Sequence, residues 1–498
     1  MYQYLIKNIT IADGTGRNAE VADIAISGER IAAIGHLGDI ATTIVDGSYL
    51  VATPGIIDAS ATIDKDWTLF TDPGQEKLLR RGITTVIGGS HLISAAPISN
   101  ARTIANIATY SASGLINVDW QSVGEFLTQA EKKSFGVNFT TLLGGITLFM
   151  NAPEKETPSA KQTILATLIY QGLGDGARGL AFSLSQTKRV RFTTEEIVSF
   201  AQIAQENDVP VILHLADYGE NILSAVNTAV YVARKSGARI LIDNFFIARE
   251  HEHLLQRVLD LVDRARKDGV EVMIELLPWD HVEVTLLEIL PFWLKETTEI
   301  ELLQQIEIAS GKKEFVENLK NKITSPENII ITSLERSSGL NGLTLTRATE
   351  ILHLSLEETV VEILHSSHLR AKVQIPGLSP IALRVAAYSE STILTGQNGL
   401  GSFHSTDSLP EPQTPFVLAE RSRGMLRYED LAQKLAANVA DFFKVKNRGT
   451  LEKGNFADIV LLDPTQSGER VVHSVFVNGK GAILEGVYQQ TTSGKILR

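Results

Sequence analysis

The chain has 498 residues, 44% of them hydrophobic and 21% charged, long enough for more than one domain and balanced like an ordinary globular protein. Its net charge of −12, from 46 basic and 58 acidic residues with no Lys/Arg cluster, argues against a general nucleic-acid binder. It contains no cysteine, which excludes disulfides, thiolate metal ligands and a cysteine nucleophile.

The N-terminus, Met1 to Lys7, reads as a strand and lacks the basic-then-apolar pattern of a signal peptide. No apolar run of about 18 residues is present, so no membrane span is expected and the cytoplasm is the expected location. Tyr4 to Ala12 and Ala22 to Ile34 are β-rich and broken by Asp13-Gly14-Thr15-Gly16 and Ser27-Gly28-Glu29. Eight apolar strand signals follow: Val51 to Ser60, Ile83 to Gly89, Val137 to Gly144, Gly179 to Leu184, Val209 to Leu215, Arg239 to Asn244, Val270 to Leu276 and Thr392 to Gln397. Most are continuous apolar runs, as expected for a parallel sheet covered by helices. Helical stretches separate them, including Glu195 to Asn207, Asn221 to Ser236 and His251 to Lys267. The alternation predicts a (β/α)8 TIM barrel over residues 53–446. A long insertion, about 278–390, carries its own helices, for instance Ser355 to His365. The last fifty residues return to strands, Ala457 to Pro464 and Val471 to Val477, with Asn478-Gly479 as a turn. Residues 1–52 and 447–498 are therefore expected to form one small β-sandwich domain.

In such a barrel, chemistry sits at the C-terminal strand ends. The segments Ile9 to Gly16, Gly28 to Gly35 and Pro54-Gly55-Ile56-Ile57-Asp58 resemble the amidohydrolase superfamily. Arg81-Gly82-Ile83-Thr84-Thr85-Val86 with Ser94-Ala95-Ala96-Pro97, and Arg448 to Gly454 with Ala457-Asp458-Ile459-Val460, resemble its N-acyl-D-amino-acid deacylase (D-aminoacylase) group. The resemblance extends over essentially the whole chain.

It implies a metal site, and it implies that most of that site has been replaced. The family's His-x-His pair after strand one falls on Ser60 and Thr62. Its metal-binding Cys after strand two falls on His91, its strand-five His on His214, which is kept, and its strand-six His on Asn244. The Asp of strand eight, the base of the reaction, falls on Asn398, and an Arg that would anchor a substrate carboxylate falls on Phe149. Alcohols and amides are poor zinc ligands, Asn398 cannot take a proton from water, and Phe149 cannot pair with a carboxylate. Metal, base and anchor are lost together. No cofactor is expected, beyond weak zinc binding by His91 and His214.

Two readings follow. The favoured one is a catalytically impaired, metal-free pseudoenzyme with a binding, assembly or regulatory role, through homo-oligomers or a protein partner. The alternative is an active hydrolase of amide bonds, of N-acyl-D-amino acids or cyclic amides, with an atypical site at His91, His214, Glu275 and Asp407. Under either reading the small-molecule ligand is open, and neither nucleic acid nor membrane is an expected partner. Glu275 could pair with His214 as acid and base if the rims align. His251-Glu252-His253 has the wrong helical spacing for a shared metal and is read as a solvated face. His365 and His368 are read as structural, Asp58 as a buried hydrogen-bonding group, and Gly88-Gly89 and Gly144-Gly145 as tight turns.

Overall fold

The computed structural model describes the chain except residues 66, 101–102, 105–116, 154–155, 186–191, 287–302, 305, 307, 309–312, 314–315, 318, 320–322, 324, 335–337, 370, 397–414, 417–425 and 467. Eight strand positions form the centre: β1 (Ile56–Asp58), β2 (Ile83–Gly88), β3 (Asn138–Thr141, resumed as Leu143–Gly144), β4 (Leu180–Ser183), β5 (Val211–His214), β6 (Ile240–Phe245), β7 (Val272–Leu276) and β8 (Thr392–Leu394). Each pairs in parallel with the next in sequence, in two arcs that share β3. Between β8 and β1 a side-chain bond bridges, Thr395 Oγ1 donating to Asp58 Oδ1 at 3.2 Å, and buried Arg81, just before β2, donates to the Gly396 carbonyl after β8.

The period-two pattern explains why this ring closes. Each strand position contributes one residue to a shared interior cluster: Ile57, Ile87, Leu142 (between the two parts of β3), Ala181, Ile212, Leu241, Met273 and Ile393. Their neighbours, such as Ile56, Val86, Phe139, Leu213, Ile242 and Ile274, face the helices in the main core. Both faces are apolar, so the strands read as unbroken apolar runs. Burial of each large side chain contributes about 1.5–3 kcal/mol.

The helices start where the sequence supplies caps. Ser122 with Glu125 and Thr193 with Glu196 form capping boxes at the helices Val123–Glu131 and Thr194–Glu206. The helix expected from His251 divides in two. Residues Arg249–Leu254 are 3-10, and Leu255–Lys267 is the α-helix packed on the core.

Both termini join one continuous sheet of nine strands. It closes on a core of its own that includes Ile6, Ile24, Ile31, Ile459 and Phe476. The expected first barrel strand is split here. Val51–Pro54 belongs to the terminal sheet, paired with Tyr2–Ile11 and Ile459–Leu462. Only Ile56–Asp58 enters the barrel. Gly55 makes the crossing, and a Cβ there would lie 2.1 Å from Thr84 Oγ1, so no other residue fits.

The insertion is also revised. Besides helices Leu345–Leu352 and Leu356–Ser366 it has an antiparallel sheet of three strands, His281–Thr285, Lys372–Pro376 and Ile330–Ser333, around an apolar cluster that also takes in Phe246 and Leu277 just after β6 and β7. It ends near Pro376. The following helix Pro380–Tyr388 buries Ala382, Leu383, Ala386 and Ala387 in the main core and belongs to the barrel. No described helix is long and apolar enough to cross a membrane.

Candidate functional site

Five strands deliver residues to the barrel mouth. Ser60 and Thr62 follow β1, His91 follows β2, His214 ends β5, Asn244 lies in β6 and Glu275 in β7. Ser60, Thr62, Asn244 and Glu275 are buried; His91 and His214 are partly exposed.

The structure brings most of them into contact. Ser60 Oγ donates to Glu275 Oε2 at 2.5 Å, and the Asn244 backbone N–H donates to the same oxygen at 3.3 Å. His91 Nε2 lies 2.8 Å from the Ser60 carbonyl oxygen, so it carries the donor hydrogen in that bond. The Ser60 N–H donates to Asp58 Oδ1 at 3.1 Å, which gives Asp58 the structural role expected of it.

His214 is paired with Asp243 rather than Glu275. Its Nδ1 lies 3.3 Å from Asp243 Oδ1 and 3.2 Å from the Tyr218 hydroxyl. Asn244 Nδ2 donates to Asp243 Oδ2 at 3.1 Å. Asp243 and Tyr218 were not singled out by the sequence. The available signal was the polar pair Asp243-Asn244 inside an apolar strand. Asn244 adopts φ 46°, and the β6–β7 register shifts between Ile242 and Phe245. That irregularity breaks strict alternation, so adjacent residues both reach the mouth.

Phe149 lies in the helix Gly145–Asn151 and packs edge-on against Phe192 at 5.7 Å, as part of an aromatic cluster with Phe182 and Phe200. Asn398 and Asp407 lie outside the described residues. His365 and His368 are exposed in the insertion. Among the described residues, no group of three or more His, Asp or Glu side chains could hold a metal ion.

Two groups at the mouth have displaced proton affinities. Burial, reinforced by the charges of Asp243 and Asp58 and opposed by the Ser60 bond, pushes the Glu275 carboxyl up to about 8. Burial, then the charge of Lys65, lowers His91 to about 4. The signs oppose one another. Glu275 binds its proton more tightly when folded, so its contribution to stability is complete below pH 4.5 and is lost as pH rises to about 8. His91 binds its proton less tightly when folded, so its contribution is complete above pH 6.5 and is lost as pH falls to about 4. From pH 6.5 to 8 only Glu275 counts of these two, and stability should fall by about 2 kcal/mol. Urea unfolding across that interval measures it, and Glu275→Gln should flatten the slope. A slope that persists in Glu275→Gln would place the titrating group elsewhere.

Comparison with known proteins gives this geometry a lineage. No family model matches the chain. It is 25% identical to the D-aminoacylase of Alcaligenes xylosoxydans xylosoxydans over 525 aligned residues, covering 100% of this chain and 97% of that one. It is 22% identical to the N-acyl-D-aspartate deacylase of the same organism, covering 96% and 91%. Among solved structures, the N-acyl-D-glutamate deacylase of Bordetella bronchiseptica, complexed with zinc and a phosphonate inhibitor, superposes with a TM-score of 0.79 at 19% identity, covering 100% of this chain and 99% of that one. A D-aminoacylase described by its binuclear metal center superposes with a TM-score of 0.80 at 20% identity and full coverage of both chains. The chain is thus a homologue of D-aminoacylase and the N-acyl-D-amino-acid deacylases, with the amidohydrolase fold of a TIM barrel joined to a small domain.

Proposed function

We propose that this chain is a metal-free pseudoenzyme of the D-aminoacylase type, which binds at its barrel mouth or through its surface and does not hydrolyse amides. One observation carries the reading: Ser60, at the position of a family zinc ligand, donates its hydroxyl to Glu275. The donor set does not fit zinc. Ser60 and Thr62 offer alcohols and Asn244 an amide, none of them a good zinc ligand. His91 Nε2 is held by the Ser60 carbonyl and His214 Nδ1 by Asp243 and Tyr218, so each histidine has one ring nitrogen left to offer, and two imidazoles fall short of the three good ligands such a site needs. Burial raises the proton affinity of the Glu275 carboxyl and so favours its neutral form, and a neutral acid is a weak ligand for a cation. In this reading the mouth is held by hydrogen bonds among its own side chains. The role is binding, assembly or regulation, with a second copy or another protein as partner.

A second reading rests on the His214–Asp243 pair. A carboxylate beside Nδ1 orients an imidazole as a base. It supports an active amide hydrolase with an atypical site around His91, His214 and Glu275; Asp407, expected beside them, lies outside the described residues. Metal analysis beside an assay on N-acetyl-D-amino acids separates the two. Turnover without metal supports the second reading; stoichiometric zinc on His91 and His214 sinks the first.

A further inference from the structure

One edge of β3 is shared by two neighbours. Its upper part meets β4: Arg178 N–H donates to the Thr141 carbonyl and Leu143 N–H to the Gly179 carbonyl, each at 2.9 Å. Lower down, the same edge is taken by residues 494–497, from the far end of the sequence. Phe139 N–H donates to the Lys495 carbonyl and Leu497 N–H to the Phe139 carbonyl, each at 2.8 Å, with the two segments parallel at this point. Gly494 N–H donates to the Phe135 carbonyl at 2.7 Å, and Lys495 N–H to Asn138 Oδ1 at 3.0 Å.

The side chains make this seat specific. Alternate residues of an extended segment face the same way, so 494, 496 and 498 share a side. A Cβ at Gly494 would collide with the Val137 carbonyl, so glycine is what lets the two backbones approach. Ile496 packs against the main core. The Arg498 fork grips Glu131 with both arms, Nε at 3.0 Å from Oε1 and Nη2 at 3.1 Å from Oε2, and Nη2 also donates to Thr128 Oγ1 at 3.2 Å. Thr128 and Glu131 both belong to the helix Val123–Glu131.

The segment is therefore held by strand hydrogen bonds, one partly buried apolar side chain and a surface ion pair. It can leave without opening a core. Its departure bares the N–H and C=O of Phe139 on a strand edge, the groups that strand addition uses.

We propose that the lower edge of β3 is a strand-acceptor site, filled at rest by residues 494–498, and that a protein partner engages it with an extended segment of the same pattern. That pattern is a glycine, a branched apolar residue two places on and an arginine two places further. The site lies at the N-terminal end of the barrel strands, away from the mouth, and stands under either functional reading.

The full chain carrying Gly494→Val tests the site, because its own segment can no longer seat while the acceptor edge is unaltered. Hydrogen exchange at the Phe139 amide should quicken about tenfold or more in it. A fluorescein-labelled peptide with the sequence of residues 489–498 should bind it at one equivalent, at least about tenfold tighter than it binds the unaltered protein, whose site is filled. That peptide should also slow the Phe139 amide again. The same peptide carrying Gly494→Ala should not bind. The proposal is overturned by equal binding to both proteins, or by no binding to a Gly494→Val chain whose Phe139 amide exchanges fast. A Phe139 amide that stays protected in Gly494→Val overturns it as well, since the segment would then be seated despite the collision. Should Gly494→Val not fold, Ile496→Ser in the full chain weakens the seat without a collision and is read the same way.

Discussion

Purified without chelator, the protein is expected to carry far less than one equivalent of zinc and to show no enzyme-like turnover of N-acetyl-D-amino acids. Metal-assisted hydrolysis needs about three good protein ligands, an activated water and a base acting together. Here the first-strand pair is Ser60 and Thr62, the sixth-strand position is Asn244 and the base position is Asn398. Because such groups act as a unit, no single reversion should restore activity. Asn398→Asp alone has no metal-bound water to deprotonate. Ser60→His with Thr62→His lacks the base, and it also removes the Ser60–Glu275 hydrogen bond. The informative protein combines Ser60→His, Thr62→His, Asn244→His and Asn398→Asp, and zinc binding should return in it before activity does. Elemental analysis and an amine-release assay give the answer. Unaltered protein turning over at about one per second or faster, as working enzymes do, would end the pseudoenzyme reading.

Asp458→Ala should cost about 3–5 kcal/mol of stability, the loss expected when one partner of a buried ion pair is removed. Arg448 and Asp458 are ion-paired and almost fully buried. Asp458 also accepts from the Asn478 N–H at 2.7 Å and from Asn138 Nδ2 at 3.1 Å, while Arg448 Nη2 donates to Asn478 Oδ1 at 2.8 Å. Asn138 stands on β3, so this network locks the terminal sheet to the barrel. The Arg448 guanidinium also lies 4.0 Å from the centre of the Phe456 ring. Replacing Asp458 leaves the guanidinium charge buried with a neutral partner and frees two donors. Chemical denaturation should report the loss, with both terminal segments becoming accessible to protease together. A cost below about 1 kcal/mol would show that water or another carboxylate replaces the lost charge.

The barrel was legible because its signals are local and repeated. Each strand needs apolar residues on both faces, and each helix a stripe at its own period, so Ile83 to Gly88 or Val272 to Leu276 can be read without knowing their neighbours. The insertion sheet was less legible. His281–Thr285 and Lys372–Pro376 pair across a long gap in sequence, and neither run is apolar enough to stand out alone. The division at Gly55 was hidden for a different reason. Val51 to Asp58 is one unbroken apolar run, and only the presence of two sheets decides where it changes allegiance.

At the mouth, the sequence by itself determined which chemical groups are available: alcohols at 60 and 62, an amide at 244, imidazoles at 91 and 214. Residue type fixes ligand strength and proton affinity in water, and the chain order places each group at a strand end. Only the tertiary structure decided the partners. It set Glu275 against Ser60 and Asp243 against His214, although Glu275 and His214 looked the more natural pair. The physical reason is that pairing depends on the radial position of each strand and on one backbone irregularity at Asn244, with φ 46°, which turn side chains by angles that no spacing along the chain records. Burial then does what sequence cannot: it raises the proton affinity of Glu275 and lowers that of His91, because the cost of a charge depends on what surrounds it.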